Sequence, residues 1–438
     1  MYLWKHYGIT SYNFGNSGEP MPVTYWQMRM ALDYCTPKVV VVDVFSCDGD
    51  VLYNDEKNNN SHLSFDYYPL SITKIKAVHD LIKDRDIELE YIFNLSLYHN
   101  RWDELEKKDF KYKASEQKGT WAYGSEESYF IPCRLEQQKI VSDTADVDDE
   151  LADQTYIKKI IEFCLERRIP LILTHNPYVC YEERQKYANS VGKIAKEFDI
   201  PYLNFVQMDS VIDFQTDMMD WSHTNPSGMN KISDYIGNYI VNNYEIEDHR
   251  KDEYYDNWNN DYLNFLDLKN STIIDCEDGK SLLELLHDDD YSCFIYINGE
   301  SILAEDEQLK RLLNNINRRH IYSSDASLKS ENINELELVD VAFEQKKDYF
   351  LAINSIDGDV YESLGDNVEG VMLKTKFQYQ CAMQDSPSLY YEIYNNNLLS
   401  YEGEEPDLQI IVLSNLTGEV IKKSQWIAES RMQLNIIQ

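Results

Sequence analysis

Positive charge is what this sequence most lacks. It carries 41 Lys and Arg against 77 Asp and Glu in 438 residues, a formal net charge of −36. Such an excess repels phosphate backbones and anionic headgroups, which makes nucleic acid and an anionic membrane surface poor partners. No apolar run approaches the roughly 18 residues of a membrane-spanning helix, and the first residues do not form a secretory signal. The eight cysteines (Cys35, Cys47, Cys133, Cys164, Cys180, Cys276, Cys293 and Cys381) stand singly, with no Cys-x-x-Cys and no metal-type spacing to histidine. Buried free thiols are the expectation for them. There is no internal repeat and no low-complexity tract. Taken literally, this is a soluble, reduced protein long enough for two domains.

What is present centres on residues 217–231, Asp-Met-Met-Asp-Trp-Ser-His-Thr-Asn-Pro-Ser-Gly-Met-Asn-Lys. Asp220 stands three residues before His223, ahead of a turn cluster and an amphipathic helix bearing Ile232, Tyr235, Ile236 and Tyr239. In a tight loop, that spacing lets the carboxylate accept a hydrogen bond from one ring nitrogen. The bond fixes the tautomer and leaves the other nitrogen to act as a general base. Asp-x-x-His alone also suits a pair that merely caps the following helix. The 34 tyrosines, many among Asp and Asn, suit a sugar-binding surface or ordinary amphipathic packing.

The first half alternates strands and helices. A helix end over 1–7 stops at Gly8, and a strand is expected over 9–14, then a small-residue turn at 15–20 and a helix over 23–34. The run 38–45, Lys-Val-Val-Val-Val-Asp-Val-Phe, reads as a strand buried on both faces. Helix 71–84, strand 88–95, helix 154–167, strand 169–174, helix 182–197 and strand 202–205 continue the pattern. Alternation of this length argues an α/β fold with a parallel, doubly wound sheet. Residues 96–153 read as a long surface insertion or lid. A charged linker or helix at 247–262 divides a first domain, 1–246, from a smaller β-rich α+β module, 263–438. Strands there are expected at 292–297, 349–354, 370–375, 389–394 and 408–414, with one helix at 304–316.

With these residues in view, the first half resembles the SGNH (GDSL-type) hydrolases, in particular the cell-surface branch of Gram-positive bacteria. Asp220 and His223 match the late acid–base block, Asn13-Phe-Gly-Asn-Ser-Gly18 resembles the second block, and 37–45 matches the strand before the third. The resemblance implies a flavodoxin-like three-layer sheet and a Gly18 N–H that helps hold an oxyanion. Two departures matter. Cys47 stands where the family has an oxyanion Asn, and no Gly-x-Ser turn after an apolar strand precedes Gly18. Residues 1–9 read like the tail of the helix that follows the nucleophile, so the resemblance implies a first, central strand lying before Met1. In that case 9–14 is expected to close on 38–45, or a gap to persist. The second half resembles an interleukin-like EMT-inducer module, on 288–297 and on the 408–420 hairpin with its Thr417-Gly418 turn.

Other polar clusters carry open alternatives. His99, Arg101 and Trp102 could hold a sugar or a carboxylate, or Arg101 could pair with Asp103 or Glu104. His175, after a strand, suits a structural or a catalytic role; Asp43, Asp48 and Asp50 suit a cation or turn chemistry. The expectation is a serine esterase or O-acyltransferase acting on acyl groups of a cell-surface glycan, inactive in this sequence for want of its serine. The alternatives are a non-catalytic glycan-binding or scaffolding protein and an intracellular enzyme using Cys47. The resemblance implies no metal or organic cofactor, an acylated glycan or cell-envelope polysaccharide as partner, and a cell-surface location.

Overall fold

A computed structural model describes residues 1–16, 18–47, 64–66, 68–82, 84–85, 87–93, 139–145, 147, 154–287, 289–316, 321–322, 328–329, 341–342, 344–354, 359–364, 368–373, 379–384, 389–395, 397–403, 406–430 and 433–436. The chain is α/β, with a three-stranded parallel sheet in its first half and antiparallel sheets in its second. The parallel sheet runs β1 (Val40–Asp43), β2 (Leu171–His175), β3 (Tyr202–Asn204), with Val41 opposite Ile172 and Leu173 opposite Tyr202. α1 (Tyr2–Tyr7), α2 (Met21–Ala31), α3 (Ile72–Leu81), α4 (Glu88–Ile92), α5 (Gln154–Arg167), α6 (Glu182–Glu197) and α7 (Pro226–Asn243) accompany it. α5 and α6 occupy the ranges their apolar spacing predicts.

Two apolar clusters sandwich the sheet. Val42, Val44, Leu171 and Leu173 join α2, α3 and α5 on one face, through Met30, Ala77 and Ile160. Ile172 and Leu203 join Tyr235 and Ile240 of α7, with Ile9, on the other. β2 is buried along its whole length because both faces are covered.

Three expectations about this half are corrected. Residues 88–93, the described part of the expected strand 88–95, do not form a strand: α4 covers Glu88–Ile92, with only Tyr91 buried. A short alternating run has no intrinsic commitment to strand, and here Glu88 pairs locally with His79 at 3.0 Å and Arg85 at 3.1 Å. Acidic residues in the first turn also suit the helix N-terminus. Residues 9–14 have no regular structure. Gly8 caps α1 with φ +66°, Ile9 turns into the core, and Tyr12 packs on Phe14 at the surface, ring centroids 4.5 Å apart. Thus 9–14 does not pair with 38–45. β1 itself is buried on one face rather than two, since Val41 is 39% exposed; among the described residues it pairs only with β2.

The second half opens with α8 (Asp256–Asp275) and α9 (Gly279–Leu285), which lie in and beyond the expected linker. β4 (Tyr291–Ile297) and α10 (Glu307–Ile316) follow, as the sequence predicts. A six-stranded antiparallel sheet is built from β4, β5 (Tyr349–Asn354), β6 (Asp359–Leu364), β11 (Leu408–Ser414), β12 (Val420–Ser430) and β13 (Gln433–Ile436), in the order β13-β12-β11-β4-β5-β6. β7 (Val368–Leu373), β8 (Tyr379–Gln384), β9 (Leu389–Asn395) and β10 (Asn397–Gly403) make a separate four-stranded antiparallel sheet. β4 and β11 sit centrally and are buried throughout; Ile295, Leu351 and Ile410 pack against Leu283 of α9 and Leu312 of α10. Among the described residues no helix is long and apolar enough to cross a membrane.

The two halves touch through ion pairs and hydrogen bonds. α1 sends Lys5 to Asp289 and Asp290, and Asp290 also accepts from Lys269 of α8 at 2.6 Å. Asn230 of α7 donates to the His287 carbonyl at 3.1 Å.

Candidate active site

The loop carrying Asp220 and His223 is a closed excursion between β3 and α7. Its stem is a bridge between Met218 and Thr224, closed below by Asn225 N–H donating to the Asp217 carbonyl at 3.0 Å. At the tip, Met219 N–H donates to the His223 carbonyl at 2.7 Å. α7 begins immediately afterwards because Asn225 caps it, accepting from Gly228 N–H at 3.1 Å, and Pro226 supplies a preset first helical residue. Gly228 is needed for space: a Cβ there would stand 2.3 Å from the Asp217 carbonyl oxygen. Val179 N–H, just past β2, donates to the Trp221 carbonyl at 2.7 Å. That bond sets the loop beside the carboxyl edge of the parallel sheet, the edge where such sheets place ligands.

At the tip the two side chains meet. His223 Nδ1 lies 2.8 Å from Asp220 Oδ2 and 3.0 Å from Oδ1. Asp220 Oδ1 also accepts from Ser222 N–H at 2.7 Å and His223 N–H at 2.8 Å. Partial burial raises the Asp220 pKa, but the Ser222 and His223 hydrogen bonds outweigh it and hold the carboxyl below its ordinary range. An ionised Asp220 accepts only, so His223 Nδ1 carries a proton, and in the neutral imidazole the lone pair is on Nε2. The imidazole is 67% exposed, open to a reactant. Ser222, whose Oγ lies 3.0 Å from His223 Nδ1 and 3.1 Å from Asp220 Oδ1, belongs to this cluster. It stands in the motif but is not singled out by the Asp-x-x-His spacing.

The tip stands on a buried ionic base, also not foreseen. Asp217 and Lys231 have fully buried side chains, with Lys231 Nζ 2.7 Å from both Asp217 oxygens. Ser227 Oγ donates to Asp217 Oδ1 at 2.8 Å, and Asp213 N–H to Oδ2 at 2.8 Å. Burial pushes the Asp217 carboxyl up, and the Lys231 ammonium more than offsets it, leaving the group below its usual range. Both residues lie inside 217–231, but fourteen positions apart they carry no local sign of pairing.

Other predicted residues are placed as follows. Gly18 adopts φ +64° in an exposed turn. The adjoining Glu19 carbonyl accepts from Ser46 Oγ at 3.0 Å, so this turn lies against the chain just past β1. No hydrogen bond among the described residues joins it to His223 or Asp220. His175 is 1% exposed, with Nδ1 3.1 Å from the Asn176 carbonyl and its ring stacked on Tyr178. Burial depresses its pKa to about 4, so it is a neutral core histidine. Asp43 accepts from Asn176 N–H at 3.1 Å, and burial lifts it to about 6. Cys47, Cys164, Cys180 and Cys293 are buried as expected, whereas Cys35 is exposed and Cys276 half-buried. His99, Arg101, Trp102, Ser17, Asp48 and Asp50 lie outside the described residues, as does all of 96–138.

Glu19 makes a testable electrostatic prediction. Burial raises its pKa to about 7, against smaller opposing hydrogen bonds from Thr24, Asn16 and Ser64. Its Oε2 is buried without a hydrogen-bond partner among the described residues. A raised acid binds more protons folded than unfolded, so its contribution weakens stability as pH climbs from about 4.5 to 7. Glu19→Gln is therefore expected to gain roughly 3 kcal/mol on wild type between pH 4.5 and 8, read by urea unfolding. A constant difference across that interval would contradict the assignment.

Comparisons of the chain with models of known protein families, with curated proteins and with solved structures found no match.

Proposed function

We propose that this chain carries the acid–base machinery of an SGNH-type serine esterase or O-acyltransferase, on a flavodoxin-like sheet, acting on acyl groups of a cell-surface glycan. The observation that carries the reading is the 2.8 Å contact between His223 Nδ1 and Asp220 Oδ2 with the imidazole open to solvent. In that reaction a serine hydroxyl attacks the ester carbonyl as His223 Nε2 takes its proton. Asp220 then stabilises the imidazolium, and the Gly18 N–H helps hold the oxyanion. The β1-β2-β3 order, with the dyad loop at the carboxyl edge, is compatible with such a sheet. The nucleophile is unassigned: no hydroxyl or thiol of the described residues hydrogen-bonds His223 Nε2.

A second reading, a glycan-binding protein without catalysis, is favoured by the aromatic surroundings of the dyad. Trp221, between Asp220 and Ser222, is 58% exposed, and Tyr181, two residues past Val179, is 85% exposed. Large rings held in water by a hydrogen-bonded loop suit stacking on a sugar face.

One experiment tests both. The purified chain is expected to bind an O-acetylated polysaccharide more tightly than the same polymer after mild alkaline deacetylation, and not to turn over an aryl acetate above background. Equal affinity for the two polymers would remove the acyl-glycan reading. Aryl acetate turnover that disappears in His223→Ala would place the nucleophile within this sequence. Ser11, Ser17, Ser46 and Cys47 would then be replaced in turn to find it.

A further inference from the structure

The Asp220–His223 loop stands on a base that the first half of the chain does not complete alone. Asn315, near the end of α10 in the second half, is 4% exposed and reaches into the buried Asp217–Lys231 pair. Its Nδ2 donates to Ser227 Oγ at 2.7 Å and to Asp217 Oδ1 at 3.2 Å, and its Oδ1 accepts from Lys231 Nζ. One amide thus bonds three members of the base. Two neighbours reinforce the junction: Asn225 Nδ2 donates to Glu284 Oε2 of α9 at 3.0 Å, and Arg311 of α10 stands 3.7 Å from Asp213.

We infer that Asn315 is a positioning residue for the Asp220–His223 dyad, so that the second half of the chain sets the geometry of a site carried by the first. The path is short. Asn315 helps fix the Asp217 side chain, and the Asp217 backbone closes the loop by accepting from Asn225 N–H and donating to the Asp213 carbonyl at 2.8 Å. The tip has no core of its own, since Trp221 and His223 are exposed and Asp220 and Ser222 are only partly covered. Its shape depends on the stem and on the Val179 tether. Removing the amide leaves a buried carboxylate, ammonium and hydroxyl short of one partner each, a deficit that the stem must move to repair. An interface serving only to hold two halves together would not need to bond both members of a buried ion pair.

The functional meaning of this inference rests on the general-base reading of the dyad, but its test reads geometry rather than turnover, so the two can fail separately. In the full chain with ¹⁵N-labelled histidine, the Nδ1–H signal of His223 is assigned by its loss in His223→Gln. Asn315→Leu is expected to lose that signal and to speed amide exchange of Ser222 and His223, both donors to Asp220, by about tenfold or more. Leu312→Ala, on the apolar side of the same helix, serves as the stability control and is expected to lower the melting temperature with the His223 signal intact. If Asn315→Leu does not fold, Asn315→Ser replaces it, because its short hydroxyl cannot span Ser227 and Asp217 together. Retention of the signal and of slow exchange in the Asn315 variant overturns the inference. So does their equal loss in Leu312→Ala, which would show that any weakening of the second half opens the loop.

Discussion

Lys231→Met is expected to lower the unfolding free energy by about 3–5 kcal/mol, the cost of stranding one charge of a buried pair. The methionine fills a similar volume, so the loss comes from Asp217 rather than from a cavity. In wild type the Lys231 ammonium holds the Asp217 carboxyl below its ordinary range. Its contribution is therefore present above the unfolded value near 3.9 and fades as pH falls through the lower folded value. In the variant the same carboxyl is buried unpaired, its pKa rises, and the sign reverses. Lys231→Met should thus recover ground on wild type as pH drops from about 7 toward 4. Urea midpoints at several pH values measure this directly. A parallel offset at every pH would show that the pair does not carry the charge energy assigned to it.

Gly228→Ala is the second large effect, expected near 3 kcal/mol, at the upper end for overpacking a site that cannot relax. The added methyl would meet the Asp217 carbonyl oxygen at 2.3 Å, and the Asp217 and Thr224 Cβ atoms at 3.1 Å each. Alanine is otherwise the better helix former, so on a free helix the same change would stabilise by up to about 1 kcal/mol. The sign is decided by contact with the loop stem. Since the stem must shift, the Nδ1–H signal of His223 should weaken together with stability. A stabilised Gly228→Ala protein would mean that α7 and the stem are farther apart than described.

Much of the framework is legible in the sequence because it rests on local periodicity. α5 and α6 follow the helical spacing of Ile157, Ile160, Ile161 and Cys164 and of Ala188, Val191 and Ala195, which are buried as that spacing requires. β5 and β11 are apolar runs long enough to commit to a strand. The Asp220–His223 contact spans three residues, so a tight turn alone can make it. The errors lie where local pattern has no authority. Residues 88–95 alternate for too short a distance to choose strand over one helical turn, and local pairing of Glu88 decides for helix. The valines of β1 suit a strand covered twice, yet nothing in their order says which face a neighbour will leave open.

What the sequence determined by itself is therefore most of the longer local elements and the Asp220–His223 contact, because each depends on residues a turn or two apart. The tertiary structure alone decided the rest. It paired Val40–Asp43 with Leu171–His175 in the parallel sheet. It buried Asp217 against Lys231 and brought Asn315 to them from 98 and 84 positions away. Burial of a charge is a property of everything that packs over it, and no window of neighbouring residues contains that information.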